Sequence, residues 1–121
     1  MDQGLVSGVL IASFAAGVIA LVVRSTNRGP DVATLVEEEL LKGGVVVDVR
    51  TPAEFAEGHV EGALNVPVDQ LPARLSELPA DRTVIVYCRS GARSSAAART
   101  LRAAGRQVLD ARTSASFTTR G

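Results

Sequence analysis

Aromatic side chains are scarce in this chain, with no Trp, one Tyr and three Phe among 121 residues. With no aromatic platform, basic stripe or charged tail, nothing here suits a nucleic acid, and no such partner is expected. Neither sign of charge is in excess, since 13 basic and 13 acidic residues cancel. Lysine is nearly absent too: Lys42 stands alone beside twelve arginines, a compositional bias that accompanies heavy Ala, Val and Gly usage. A single cysteine excludes an internal disulfide, which fits a reducing compartment. One cysteine and one histidine cannot assemble a zinc site within one chain, and no metal or organic cofactor is implied. Internal repeats are missing. The length allows one domain, and about a hundred residues outside the apolar N-terminus suffice for one modest core.

Charge and proline are both absent from residues 4 to 23, GLVSGVLIASFAAGVIALVV. An apolar run of about 20 residues is what a helix needs to cross roughly 30 Å of hydrocarbon. A cleaved signal peptide would want a basic start, a shorter apolar stretch and a small-residue cleavage site. Here the start is MDQG, and the run ends on Val22, Val23 and Arg24. A buried core helix would carry polar punctuation, which is missing. Residues 1–24 are therefore expected to be an uncleaved transmembrane anchor, residues 25–32 a linker, and residues 33–121 the folded domain. Arg24 and Arg28 flank the C-terminal side and nothing basic flanks the other, so the positive-inside rule puts the domain of this single-pass membrane protein in the cytoplasm.

Beyond the linker, Val32, Leu35, Val36 and Leu40 share one face of a helix that stops at Gly43-Gly44. VVVDV, residues 45 to 49, is a short β-branched run suited to a strand covered on both faces. Thr51 and Glu54 bracket a capping box with Pro52 at the first helical position, so a short helix follows at once. A short strand is expected near Ala63 to Val66, and a small helix carrying Leu71, Leu75 and Leu78 ends at Pro79. TVIVY, residues 83 to 87, reads as a second buried strand. Residues 94 to 104 form a helix stopped by Gly105, and residues 107 to 110 suit a last strand. Alternating strands and helices imply an α/β fold, a parallel sheet covered on both faces. The polar tail from Ala111 has no legible structure.

The chemistry concentrates in TVIVYCRSGARSSAAARTLRAAG, a strand, a short loop and a helix. Ligands of open parallel sheets bind at the carboxyl ends of strands, which is where Cys88 falls. Unpaired N–H groups and the positive end of the helix dipole favour an anion there, and Arg89 and Arg93 add two charges. Such surroundings lower a thiol pKa and make the thiolate the resting form. Gly91 allows the loop to bend tightly enough to aim N–H groups inward. The competing reading of Cys88, a small buried hydrophobe, suits the middle of a strand better than its end.

DVRTPAEFAEGHVEGALNVP together with VIVYCRSGARS resembles the rhodanese domain family, over residues from about 35 to 110. The resemblance implies a three-layer fold of parallel strands with helices on both sides. It implies that Cys88 takes sulfane sulfur from thiosulfate or a similar small sulfur-containing anion, holds it as a persulfide, and passes it to a thiol or cyanide acceptor. Arg89, Ser90, Gly91, Ala92 and Arg93 would form the substrate cradle, with Ser94 opening the helix. Asp48 and Arg50 would tie loops together near the site by ion pairing, and His59 would be structural rather than a catalytic base. One departure stands out: Arg112 occupies a position where the family carries glycine, and its usual closing helix is missing or degraded here. Two rivals remain. A cysteine phosphatase or arsenate reductase would use a longer loop, with five residues rather than four between Cys and Arg. A non-catalytic module that senses persulfide or binds a partner would share the motif without turnover.

Overall fold

The computed structural model describes residues 31–117. The expected anchor, residues 1–24, lies outside them, as does the linker up to Pro30. Among the described residues no helix is long and apolar enough to cross a membrane.

The domain begins with helix α1, Val32–Leu41, so Val32, assigned above to the linker, is already helical. Gly43 ends this helix with φ 91°, donating its N–H to the Leu40 carbonyl. Gly44 then passes so close to its neighbours that a Cβ there would sit 2.9 Å from both the Glu39 carbonyl oxygen and Ile85 Cδ1. Strand β1, Val45–Asp48, follows directly. Helix α2, Pro52–Glu57, starts at a complete capping box: Thr51 accepts from the Glu54 N–H while the Glu54 side chain accepts from the Thr51 N–H. The remaining elements are the two-residue β2, Leu64–Asn65, a 3-10 segment Pro72–Glu77, β3, Val84–Cys88, α3, Ala92–Ala103, β4, Val108–Thr113, and a 3-10 turn Ser114–Phe117.

The four strands form one sheet in the order β2-β1-β3-β4, every pairing parallel. Central β3 is buried at all five positions, which explains its unbroken apolar sequence. Side chains alternate across it. Val84, Val86 and Cys88 join Val47, Val49, Leu71, Leu78, Ala97, Ala98 and Leu101 in one core, beneath α3 and the first 3-10 segment. Ile85 and Tyr87 face the opposite core with Val36, Val46, Ala63 and Ala111, against which Phe55 and Phe117 pack. The sheet is thus covered on both faces, the expected α/β arrangement.

Three of the boundaries that differ from the sequence reading bear on the site, each with a physical reason. β3 runs one residue further, so Cys88 is the last residue of the strand, opposite Thr113 of β4. α3 starts at Ala92 rather than Ser94, because Gly91, at φ 102°, turns the chain straight into the helix. β4 continues to Thr113 through a bulge: Val86 pairs with Asp110 but Tyr87 with Arg112, leaving Ala111 as the extra residue. Arg112 follows with φ 70°, the single non-glycine at positive φ among the described residues. A left-handed backbone is what a glycine would supply, and here an arginine adopts it with its N–H on the Asp110 carboxylate.

Candidate active site

Cys88 is 2% exposed, and its sulfur accepts two backbone hydrogen bonds, from Gly91 N–H at 3.1 Å and Ser94 N–H at 3.3 Å. Burial works to raise the thiol pKa, but the N–H groups of Ser94 and Gly91, the Ser94 hydroxyl and the Ser90 N–H outweigh it, and the pKa is lowered. Ser94 is fully buried within the first turn of α3 rather than at its start, and its hydroxyl donates to the Gly91 carbonyl. That bond closes the loop on itself and keeps the Ser94 N–H on the sulfur. A negative charge on this sulfur is therefore favoured by backbone dipoles at a helix start.

The two loop arginines stand beside the site but engage a carboxylate. Neither guanidinium is hydrogen-bonded to the sulfur. Arg93 donates through Nη1 and Nη2 to Glu54 Oε1 and Oε2 at 2.7 and 3.1 Å, and Arg89 Nε reaches Glu54 Oε2 at 3.2 Å. Their charge acts on the site through this carboxylate and at a distance, while the short-range work falls to N–H groups. Glu54 was legible as a capping residue of α2; its second task depends on partners 35 and 39 residues away, which no local pattern reveals. Arg93 holds the Glu54 carboxyl well below the usual carboxylate range, helped by the Thr51 N–H and Arg89 against the opposing effect of burial.

Asp48 and Arg50 meet beside the site. The Asp48 side chain is fully buried and accepts from Arg50 N, Nε and Nη2, the last at 2.6 Å, and from the Tyr87 hydroxyl at 2.8 Å. Arg50 continues to the Gly58 carbonyl at 2.7 Å and lies over the Tyr87 ring. Tyr87 also accepts from Val60 N–H, and the Asn65 amide donates to the carbonyls of Asp48 and Arg50. This network fastens the GHVEGA turn to the ends of β1 and β3. His59 belongs to that turn: it stacks on Phe55 at 3.6 Å, and its Nδ1 bonds the Phe55 carbonyl.

Cys88 lines a cleft of about 620 Å³ together with Arg50, His59, Val60, Tyr87, Arg89 and Phe117 among others. Phe117 meets the Tyr87 ring edge-on at 5.5 Å. The tail that looked structureless thus supplies one wall. Ser90 and Ala92 contribute backbone to the loop, with Ser90 exposed between Cys88 and Gly91.

A parallel α/β sheet whose central strand ends in a cysteine, with backbone N–H groups aimed at its sulfur, defines a class of protein with an anion-stabilising cradle at a strand end. The profile of the rhodanese-like domain matches residues 32–115, and the chain belongs to that family. A sulfurtransferase of Allochromatium vinosum is 56% identical over 50 residues, 41% of this chain and 47% of that protein. The thiosulfate sulfurtransferase PspE of Escherichia coli is 38% identical over 53 residues, 42% of this chain and 51% of the relative. The matches thus span about half the length of each of these relatives. Among solved structures, a rhodanese-related protein from Thermoplasma volcanium superposes with a TM-score of 0.59 and 32% identity, covering 69% of this chain and 81% of the other.

Proposed function

We propose that this protein is a sulfurtransferase that moves sulfane sulfur from thiosulfate, or a donor like it, to a thiol or cyanide through a Cys88 persulfide. The carrying observation is the pair of N–H groups on the buried sulfur of Cys88, a residue that lines the cleft. In the first half-reaction the Cys88 thiolate attacks the outer sulfur of thiosulfate. The S–S bond of the donor breaks and sulfite leaves with its electron pair. The persulfide keeps the negative charge on its outer sulfur, where loop N–H groups stabilise it. In the second, an acceptor thiolate or cyanide attacks that outer sulfur, and Cys88 leaves as thiolate, ready for another turn. The relatives named as sulfurtransferases support this reading.

The six-residue loop from Cys88 to Arg93 favours one added sulfur over a tetrahedral phosphoryl or arsenate group. The test is mass spectrometry of the intact protein after exposure to thiosulfate, alongside an aryl phosphate assay at equal concentration. A gain of one sulfur atom, lost again on adding thiol, is the expected result. Faster cleavage of the aryl phosphate would overturn it, and loading without turnover would identify a sensor instead. We further propose that residues 4–23 hold the domain at a membrane with the site on the cytoplasmic side, on the strength of their length, lack of charge and flanking arginines. A cysteine added at the C-terminus of a Cys88→Ser protein should resist an impermeant thiol reagent in intact cells. Ready labelling contradicts that topology.

A further inference from the structure

The loop of this site carries two arginines in six residues, which on sequence grounds describes a strongly cationic mouth. In the folded protein one carboxylate takes both. Glu54 sits on α2, its side chain 18% exposed, with Arg93 bidentate on its two oxygens and Arg89 on Oε2. The N–H and hydroxyl of Thr51 complete its shell at 3.1 Å each, so the carboxylate is fixed from its own helix as well. Arg50, which lines the cleft together with Arg89, is paired with buried Asp48. Every arginine facing the cleft is thus already paired within the described residues.

We propose that Glu54 is a specificity-determining residue that offsets one of the two charges of Arg89 and Arg93 and so lowers the preference of Cys88 for highly charged anions. The inference rests on the reading of Cys88 as a thiolate nucleophile, and goes beyond it by naming what tunes that nucleophile's partners. A donor carrying little net negative charge is accepted at little disadvantage relative to a dianion. Removing the carboxylate charge while keeping its shape frees one net positive charge at the loop. Across a few ångströms of mostly solvent dielectric, that change alters the encounter with a monoanion about three- to fivefold, and less at high salt.

Cys88 is the sole thiol in the chain, so alkylation reports on one atom. The experiment compares iodoacetate, an anion, with neutral iodoacetamide on the full chain in detergent at low salt. In both cases the Cys88 thiolate forms a C–S bond and iodide leaves with the electron pair, so the neutral reagent controls for thiolate fraction and access. Glu54→Gln suits the test because glutamine also serves at this position of a capping box. The ratio of the iodoacetate rate to the iodoacetamide rate should rise about three- to fivefold in Glu54→Gln. Added salt should shrink the rise, and Glu54→Gln with Arg89→Met should return the ratio towards the wild type. An unchanged ratio overturns the proposal, and equal slowing with both reagents shows that Glu54 only holds the scaffold. Failure of either reagent to modify Cys88 in the wild type is a different result, which removes the thiolate reading itself.

Discussion

Cys88→Ser exchanges the chain's single thiol for a hydroxyl of nearly the same shape, so sulfur loading should vanish while the fold stays intact. Thiosulfate turnover in the folded variant would sink the assignment. The depressed thiol pKa carries a stability consequence whose sign is fixed. A group with a lowered folded pKa stabilises the native state above its unfolded pKa, about 8.5 for a thiol, and that contribution is lost as pH falls through the folded value. Urea midpoints should show the wild type gaining on Cys88→Ser as pH rises towards the unfolded thiol value of about 8.5, and a constant gap would contradict the hydrogen-bond account. Arg112 was legible as an oddity from sequence, an arginine at a family glycine, and φ 70° explains why it is odd. Arg112→Gly should raise stability by about 0.5–1 kcal/mol, the relieved left-handed strain less the extra chain entropy. Calorimetric or urea unfolding would read it directly, and a loss of stability would mean that the arginine side chain contributes more than its backbone costs.

Among the elements, those specified by neighbours in the chain were the ones legible in advance. The capping box at Thr51 and Glu54, the stop at Gly43 and the unbroken β3 each follow from a few adjacent residues. What escaped were features set by distant partners: the bulge that prolongs β4, the Tyr87 hydroxyl on Asp48, and both arginines on Glu54. The Asp48–Arg50 pair, expected from the resemblance, gains its distant partners in Tyr87 and Gly58. The Arg50 and Asp48 side chains are 13% and 0% exposed, so Arg50→Met leaves an uncompensated buried carboxylate. The expected cost is about 3–5 kcal/mol, with the GHVEGA turn loosened as Gly58 and Tyr87 lose a partner. Unfolding at the wild-type midpoint would show that the network adds nothing to the fold.

For the molecule as a whole, alternating elements were enough to read a parallel sheet with two covered faces, because that layering follows from hydrophobic period alone. The sequence also divided the chain chemically, with the reactive groups all beyond residue 47 and the charge-free run at residues 4–23. A chain beginning near Arg28 should therefore stay in detergent-free solution and keep the sulfur-transfer rate of the whole protein. The full chain should sediment with membranes. A folded but inactive short chain would mean that the N-terminal segment shapes the site. The least legible part was the C-terminal wall of the cleft, since Phe117 gains meaning only beside Tyr87, thirty residues earlier.

The shared carboxylate of Glu54 also has a consequence for motion. α2 is six residues long and has no fully buried residue, so it resists fraying mainly through its cap. Each time its first turn opens, the grip on Arg89 and Arg93 opens with it, and the loop amides on the sulfur lose their outer support. Helix and loop then form one unit of local opening. Native-state hydrogen exchange should show the amides of Phe55, Gly91 and Ser94 sharing a common opening free energy, and Thr51→Ala should speed all three together.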